Sequence, residues 1–250
     1  MNKKKSILVL SSLAVTMLAL GSCSNGGKAN INDSVITVGA SSTPHALILE
    51  QAREYIEGKG YTLDIKVMTD YVTPNISLND GDLDANYFQH EPYLFDFNLN
   101  HGTDLIAVKK IHFEPMSIWV GKSNNGKIII PNDKSNGDRA RALLEKYGVG
   151  VGVGPIVEME AQSIPLMLDD CSYACVNGNY ALEADLIHKY NCYASESSLD
   201  HTALENANVV AVKRGNENAQ AIRVLIDGLT QKKISDYMWN TFGYSVVPMF

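Results

Sequence analysis

Segments with strand and helix patterns alternate along this chain, and this alternation limits its fold more than any other sequence feature. Val35–Ala40 is a nearly continuous apolar run, which is typical of a buried strand. Thr43 and Pro44 then provide an N-cap and a first-turn proline for a helix that is predicted to run to about Gly58. Residues 61–68 alternate apolar and polar side chains, as a half-buried strand does.

The same order of strand and helix recurs to the end of the chain. Further strands are predicted at 105–109, 116–121, 127–131, 156–159, 173–176 and 209–212. Further helices are predicted at 135–147, 164–168, 180–185, 218–228 and 232–240. The glycine-rich stretch 150–154 lacks the spacing of a phosphate-binding loop and is interpreted as a flexible connector. The whole pattern predicts an α/β protein with mostly parallel sheets.

The first 23 residues have the pattern of a secretory leader. A basic head at 1–5 precedes an apolar stretch at 6–20, and a pair of small residues then leads to Cys23. The sequence Leu-Gly-Ser-Cys resembles the lipobox of bacterial lipoproteins, which implies cleavage before Cys23 and lipidation of its thiol. We therefore expect a signal peptide at 1–22, a lipidated cysteine with a flexible tether at 23–33, and a protein held in the cell envelope by lipid.

The remainder of the chain is acidic and carries no long apolar stretch. The leader holds three of the 21 Lys and Arg residues and no Asp or Glu, so its removal leaves 18 basic and 28 acidic residues. Nucleic-acid binding needs clusters of Lys and Arg, and the composition therefore argues against a nucleic-acid partner. No further segment has the roughly 18 apolar residues of a transmembrane helix.

Three cysteines, Cys171, Cys175 and Cys192, follow Cys23. Because three is an odd number, at least one thiol stays outside any intramolecular disulfide. No histidine or cysteine lies nearby at a zinc-binding spacing. We interpret these cysteines as small buried apolar residues in preference to a disulfide, which an extracytoplasmic location would permit.

Motifs of common enzymes and metal sites are absent from the sequence. There is no Gly-x-Ser-x-Gly elbow, no His-Glu-x-x-His pair and no acidic calcium loop. His90-Glu91 and His112-x-Glu114 are short-range pairs, but neither spacing directs two ligands at one ion. We therefore expect no catalysis, no metal and no cofactor.

Polar and aromatic residues are concentrated near the ends of the predicted strands. These residues are Asp70, Tyr71, Asn132, Asp133, Arg139, Asn177, Asn208 and the run 86–93, which includes Phe88, His90 and Tyr93. In open α/β sheets, ligands bind at the carboxyl edge of the strands. Aromatic walls with a few amides and one arginine suit a small ligand that has an apolar part and a carboxylate, which arginine can hold with two parallel hydrogen bonds.

These residues lie in segments that resemble one family, the methionine-binding lipoproteins of bacterial ABC importers (the MetQ/NlpA type). The segments are VGASSTPHALILE (38–50), TDYVTPNISLNDGDLDANYFQHEPYL (69–94), GTDLIAVKKIHFEPM (102–116), IPNDKSNGDRARALLEK (130–146), VNGNYALEA (176–184), ENANVVAVKRGNEN (205–218) and GYSVVPMF (243–250). The resemblance covers nearly the whole mature chain, and DANYFQHEPYL and NDKSNGDRA are its most specific parts.

The resemblance implies a periplasmic-binding-protein fold, in which two α/β lobes joined by a hinge enclose the ligand. We expect lobe 1 at 34–120 plus about 215–250, and lobe 2 at about 121–214. By position, the resemblance selects seven ligand-binding residues. Tyr71, Phe88 and Tyr93 would line the pocket for a thioether, with His90 beside them. Arg139 would hold a carboxylate, and Asn177 and Asn208 would bind the amino-acid backbone groups. The implied partners are methionine, an ABC permease with its ATPase subunits, and the membrane.

Several alternatives stay open from the sequence. The ligand of such a protein is not fixed as L-methionine, since D-methionine or a methionine dipeptide presents similar groups. A surface lipoprotein with an adhesin or scaffold role and an enzyme built on His90 are rivals from other classes. Asn177-Gly178-Asn179 and Asn206-Ala207-Asn208 each offer two amides, so a slip of two residues is open in each pair. The short glycine stretch at 150–154 replaces a longer segment of the family and would trim lobe 2.

Overall fold

The computed structural model describes residues 34–150 and 154–250. The predicted leader, Cys23, the tether and residues 151–153 of the glycine stretch lie outside the described residues. The strands, numbered in chain order, are β1 (Val35–Ala40), β2 (Thr62–Val67), β3 (Ala85–His90), β4 (Leu105–Phe113), β5 (Ser117–Val120), β6 (Ile128–Pro131), β7 (Ile156–Met159), β8 (Tyr173–Val176), β9 (Cys192–Ser195), β10 (Ala207–Lys213) and β11 (Val247–Pro248).

Helices fill most of the connections between these strands. The α-helices are α1 (Leu47–Gly58), α2 (Thr73–Asp80), α3 (Glu91–His101), α4 (Lys134–Lys146), α5 (Gly178–Glu183), α6 (Leu186–Lys189), α7 (Gln220–Leu229) and α8 (Lys232–Phe242). Short 3-10 segments lie at Ala161–Asp170, His201–Ala203 and Gly243–Ser245. The helix expected to start at Thr43 begins instead at Leu47, because Ser42–Ala46 forms a π-helical turn.

The strands form two separate sheets, and each sheet is the centre of one lobe. The first sheet has the order β11-β4-β10-β3-β1-β2, and the second has the order β7-β6-β8-β5-β9. Four strand pairings are parallel and five are antiparallel within the described residues. The expectation of mostly parallel sheets is therefore wrong. Hydropathy identifies strands but not their neighbours, and β10 returns from lobe 2 to insert between β3 and β4.

The chain passes between the lobes twice, at positions that differ from those expected. Residues 114–116, the first crossing segment, join β4 to β5, and residues 196–206, the second crossing segment, join β9 to β10. Lobe 1 thus holds 34–113 and 207–250, and lobe 2 holds the described residues between 117 and 195. The expected boundaries at 121 and 214 are corrected, because β5 pairs with β8 and β9, whereas β10 pairs with β3 and β4.

Each sheet is covered by helices on both faces, as amphipathic helices require. In lobe 1, α1, α7 and α8 cover one face with a core that includes Ile48, Leu225 and Met238, and α2 and α3 cover the other. In lobe 2, α4 packs on one face, while α5 and the 3-10 segment 161–170 pack on the other. Within the described part of the chain, no helix is long and apolar enough to cross a membrane.

The cysteines of lobe 2 form no disulfide within the part of the chain that the structure describes. Cys171 and Cys175 are buried free thiols, as the sequence predicted. Cys192 is also free, but it is exposed on the edge strand β9, so its predicted burial is wrong.

Strand β3 was not predicted from the sequence because half of its residues are polar. All six of its residues are buried. Its amides remain hydrogen-bonded inside the core: Asn86 Nδ2 and Gln89 Nε2 both donate to Asn75 Oδ1 of α2, at 2.8 and 2.7 Å. A buried polar network of this kind satisfies its own members and removes the hydrophobic signal by which strands are recognised.

Ile129 of β6 tests the core of lobe 2, since its side chain is fully buried. We expect Ile129→Ala to lower the free energy of unfolding by about 2–5 kcal/mol through lost burial and a residual cavity. Leu166→Ala in the same lobe is the control, because that side chain is 82% exposed, and it should change stability by less than about 0.5 kcal/mol. Urea unfolding followed by circular dichroism measures both values, and equal stabilities would contradict the assigned core.

Candidate functional site

All seven sequence-predicted ligand-binding residues line one cavity between the lobes. The cavity lining consists of Tyr71, Phe88, Gln89, His90, Tyr93, Glu114, Asn136, Arg139, Asn177, Gly178, Asn179 and Asn208. Gln89, Asn136 and Gly178 were not predicted as lining residues, Asn179 was an open alternative to Asn177, and Glu114 was considered only as one half of a poor metal pair. Glu114 directly follows β4, so the same strand-end signal that identified the other candidates would have found it.

Aromatic rings form one wall of the cavity. The ring of Tyr71 lies 5.8 Å from that of Phe88 and 5.6 Å from that of Tyr93, measured between centroids. The Tyr93 hydroxyl donates to the backbone oxygen of Tyr71 at 3.0 Å, which fixes the two rings relative to each other. Tyr180 of lobe 2, which is not a lining residue, packs on Tyr71 with its ring centroid 5.0 Å from that of Tyr71. Such a wall favours an apolar or sulfur-containing side chain.

His90 is a neutral structural element of the cavity. It caps helix α3, because its Nδ1 accepts a hydrogen bond from the backbone N–H of Tyr93 at 3.2 Å. Its Nε2 therefore carries the hydrogen and donates to Asn136 Oδ1 at 3.1 Å. Burial, reinforced by the nearby Arg139 cation, lowers the pKa of His90 to about 3. The partner of this histidine is an amide, so the ring is not arranged to activate a serine or cysteine nucleophile.

Arg139 reaches the cavity from α4 but is already engaged by protein groups. Asp133 caps this helix by accepting from the backbone N–H of Asn136 at 2.9 Å. Arg139 Nε donates to Glu196 Oε1 at 2.7 Å, and Nη2 donates to Glu196 Oε2 and to the backbone oxygen of Glu114. The two parallel hydrogen bonds expected for a ligand carboxylate are therefore made with Glu196. Nη1 is the guanidinium nitrogen without a partner among the described residues.

Glu114 is a buried carboxylate that faces two histidines. His112 Nε2 donates to its Oε1 at 2.6 Å, and His45 Nε2 lies 3.3 Å from the same oxygen. Burial raises the pKa of Glu114 to about 7 and lowers the pKa values of His45 and His112 to about 4 and 3. Both histidines are thus neutral at neutral pH, and Glu114 is poised between its charged and uncharged forms.

The far nitrogens of both histidines are held by hydroxyl groups. Ser41 Oγ lies 2.6 Å from His45 Nδ1, and the Tyr87 hydroxyl donates to His112 Nδ1. His45, His112 and Glu114 form the one group in the described ranges whose potential metal-ligating atoms converge within 4.8 Å. The distances to the carboxylate oxygen are those of hydrogen bonds, so the histidines already serve as its partners.

Two buried amide atoms at the start of α5 have no hydrogen-bond partner among the described residues. Asn177 Nδ2 donates to Asn136 Oδ1 at 2.7 Å, and Asn179 Oδ1 accepts from the Tyr71 hydroxyl at 2.5 Å. The other side-chain atoms of these two residues, Asn177 Oδ1 and Asn179 Nδ2, are buried and make no hydrogen bond within residues 34–150 and 154–250. Unpaired buried polar atoms are costly, so an acceptor and a donor left open in the same cavity indicate a ligand with complementary groups.

The structure settles which amides of the two ambiguous pairs line the cavity. Both Asn177 and Asn179 do so. In the second pair only Asn208 does, and it is linked to His45 Nε2 at 3.1 Å. Asn206 lies outside the lining and donates to the backbone oxygen of Thr202.

Hydrogen bonds across the cleft hold the lobes against each other. Tyr71 bonds Asn179, the Tyr180 hydroxyl donates to the backbone oxygen of Thr69 at 3.1 Å, and His90 bonds Asn136. The cavity between the lobes is about 20 Å³, which is space for little more than one water molecule. A larger molecule would therefore fit here only if the lobes separated.

Known proteins share this architecture. A family model described as NlpA lipoprotein matches residues 36–150 and 155–250. The membrane lipoprotein TpN32 of Treponema pallidum is 33% identical over an alignment that covers 87% of this chain and 90% of that protein. The methionine-binding lipoprotein MetQ of Bacillus subtilis is 30% identical over an alignment that covers 92% of this chain and 93% of that protein.

A structure with a named ligand also matches the chain along its length. The structure of a nutrient-binding protein from Burkholderia cenocepacia bound to methionine superposes with a TM-score of 0.78 at 27% identity. The match covers 86% of this chain and all of that chain. The two-lobe periplasmic-binding fold expected from the sequence is thereby confirmed.

Gly178 provides a test of the cavity geometry that needs no ligand. A Cβ at this position would lie 2.7 Å from Glu114 Cβ and 2.9 Å from Glu114 Oε2. We expect Gly178→Ala to destabilise the fold by about 1–3 kcal/mol through this overlap. Gly58→Ala is the matched control, because a Cβ there meets no atom within 4 Å. Urea unfolding of both variants decides the point, and an unperturbed Gly178→Ala protein would contradict the close packing of Glu114 on α5.

Proposed function

This chain belongs to the NlpA lipoprotein family, and we propose that it is a lipid-anchored, extracytoplasmic substrate-binding protein that delivers L-methionine to an ABC importer. The named relatives supply the ligand class: one is called a methionine-binding lipoprotein, and another has methionine bound in its structure. The leader pattern at 1–23 supports the anchor.

One observation supports this function above all others, namely the two open amide atoms in a cavity that also holds a cation and a carboxylate. Asn177 Oδ1 and the Glu114 carboxylate would accept hydrogen bonds from the ligand ammonium group. Asn179 Nδ2 and Arg139 Nη1 would donate to the ligand carboxylate. The wall of Tyr71, Phe88 and Tyr93 would then receive the thioether side chain.

The proposed cycle uses the motion of the lobes and no chemistry of its own. Ligand would enter an open form and be enclosed when the cross-cleft hydrogen bonds re-form around it. The permease would take the ligand from the closed form, with free energy supplied by its ATPase subunits.

Titration calorimetry of the full chain in detergent tests the ligand assignment. The protein is first unfolded and refolded to remove any ligand carried through purification. We expect L-methionine to bind one-to-one with a micromolar or lower dissociation constant. Tighter binding of D-methionine or of a methionine dipeptide would replace L-methionine as the ligand, and no heat with any of the three would contradict the proposed function.

Asn179→Ala tests the role of the open amides. We expect it to raise the dissociation constant for L-methionine by about tenfold, since one buried hydrogen bond to a charged ligand group is lost. Asn132→Ala is the control, because Asn132 is an exposed asparagine of the same lobe that donates to Glu160 outside the cavity. Equal affinities of the two variants would exclude the amide from ligand binding.

Glu114 makes the proposed binding dependent on pH. Its pKa of about 7 means that the carboxylate is increasingly protonated below pH 7, whereas an ammonium ligand requires the ionised form. Binding therefore releases a proton in acid, and the dissociation constant is expected to rise as the pH falls from 7 to 5, approaching about tenfold per pH unit. Above pH 7 the carboxylate is already ionised, so the curve is flat up to the pKa of the ligand ammonium.

The groups that surround Glu114 do not reproduce this profile. His45 and His112 have pKa values of about 4 and 3, so both stay neutral above pH 5. The pKa values of Tyr71 and Tyr87 are raised well above the ordinary value by burial, so both hydroxyls stay protonated. Calorimetry at several pH values measures the slope, and a slope that persists in Glu114→Gln would assign it to another group.

A further inference from the structure

We propose that Glu196 is a positioning residue that couples occupancy of the cavity to the angle between the two lobes. This inference rests on the proposed function and adds a residue outside the cavity lining. It follows from the way in which one ion pair joins the ligand cavity to both crossing segments.

Arg139 connects the cavity to both crossing segments. This arginine lines the cavity and lies on α4 of lobe 2. It contacts the first crossing segment, by which the chain enters that lobe, and the second, by which the chain leaves it. Its Nη2 donates to the backbone oxygen of Glu114 in the first crossing segment, at 2.7 Å. Its Nε and Nη2 hold the carboxylate of Glu196 at the start of the second crossing segment. A displacement of this guanidinium therefore affects both crossing segments at once.

Glu196 pairs the two crossing segments with each other. Its backbone N–H donates to the Met116 backbone oxygen at 3.0 Å. Its Oε2 accepts from the backbone N–H of Met116 at 2.8 Å, so a side chain completes the pairing between the segments. The antiparallel ladder of β5 and β9, in which Ser117 faces Ser195, leads directly into this pair. The carboxylate thus receives three hydrogen bonds, two from Arg139 and one from the hinge backbone.

The ion pair between Arg139 and Glu196 is largely buried. The side chains of Arg139 and Glu196 are only 8% and 12% exposed. A charge-assisted pair with two parallel hydrogen bonds has a fixed geometry, and little water is present to let the partners separate independently. A ligand carboxylate that binds Arg139 Nη1 therefore shifts a rigid unit that includes Met116. Loss of Glu196 would leave Arg139 linked to the hinge only through the backbone oxygen of Glu114, so that ligand binding would move the hinge less.

Affinity alone does not test this coupling, because removal of Glu196 has opposing effects. It frees the Arg139 charge for the ligand and at the same time loosens the guanidinium. The decisive measurement is the distance between the lobes at saturating L-methionine. Spin labels on cysteines at Glu54 of lobe 1 and Leu166 of lobe 2 report it, since those side chains are 94% and 82% exposed. Cys192, an exposed thiol, is replaced by serine in every variant.

The variants are Glu196→Ala and Glu196→Gln in the full chain. Glu196→Ala removes both the ion pair and the acceptor for the Met116 N–H. Glu196→Gln keeps an acceptor for that N–H but loses the charged fork, so it is expected to lie between the parent and the alanine variant. Asp200→Asn is the matched control, because the Lys146–Asp200 ion pair of 2.8 Å also joins α4 to the second crossing segment without touching Arg139 or Met116.

We expect L-methionine to shift and narrow the interlobe distance distribution in the parent and in Asp200→Asn. Glu196→Ala, when saturated, should lose most of that shift. A full shift in Glu196→Ala overturns the inference and leaves the proposed function standing. An absence of L-methionine binding in the parent contradicts the proposed function itself, and the inference falls with it. If Glu196→Ala does not fold or bind, Glu196→Gln decides: a reduced shift supports the coupling, and a full shift overturns it.

Discussion

The buried ion pair between Arg139 and Glu196 connects the cavity to both segments that cross between the lobes. A chain that passes between two lobes twice needs its crossings held together, and here a side chain does this by accepting the Met116 N–H. The same pair turns a cavity-lining arginine into part of the hinge. Buried ion pairs contribute little net stability, because desolvation offsets most of their attraction. The geometric fixation of this pair is therefore more important than its free energy.

The polar groups of the cavity are largely satisfied by one another, and this limits what the cavity can bind. Asn136 Oδ1 accepts from both His90 and Asn177, and neutral histidines surround the Glu114 carboxylate. A ligand without polar groups gains nothing from this network. A zwitterion with a small apolar tail can use the open amide atoms, the carboxylate and the arginine at once. The polar groups that are open to a ligand are thus specific for a zwitterion, even though the cavity is almost closed.

Strand β3 explains why this site lies outside the reach of hydropathy analysis. Its buried amides belong to a hydrogen-bonded cluster with Asn75, so the strand that supplies Phe88 and His90 has no hydrophobic pattern. The family resemblance recovered those residues where periodicity did not. Resemblance also pointed to Arg139, but it did not reveal Glu196, because the partner lies 57 positions away along the chain.

The sequence by itself determined the α/β class, most element positions and the seven cavity residues, because apolar periodicity and short family motifs are local properties. Only the tertiary structure decided that β10 lies between β3 and β4, that Glu114 meets His45 and His112, and that Arg139 is held by Glu196. Each of these is a contact between residues distant in the chain. Local patterns set which face of an element is buried, whereas the identity of the neighbour depends on how all elements pack together.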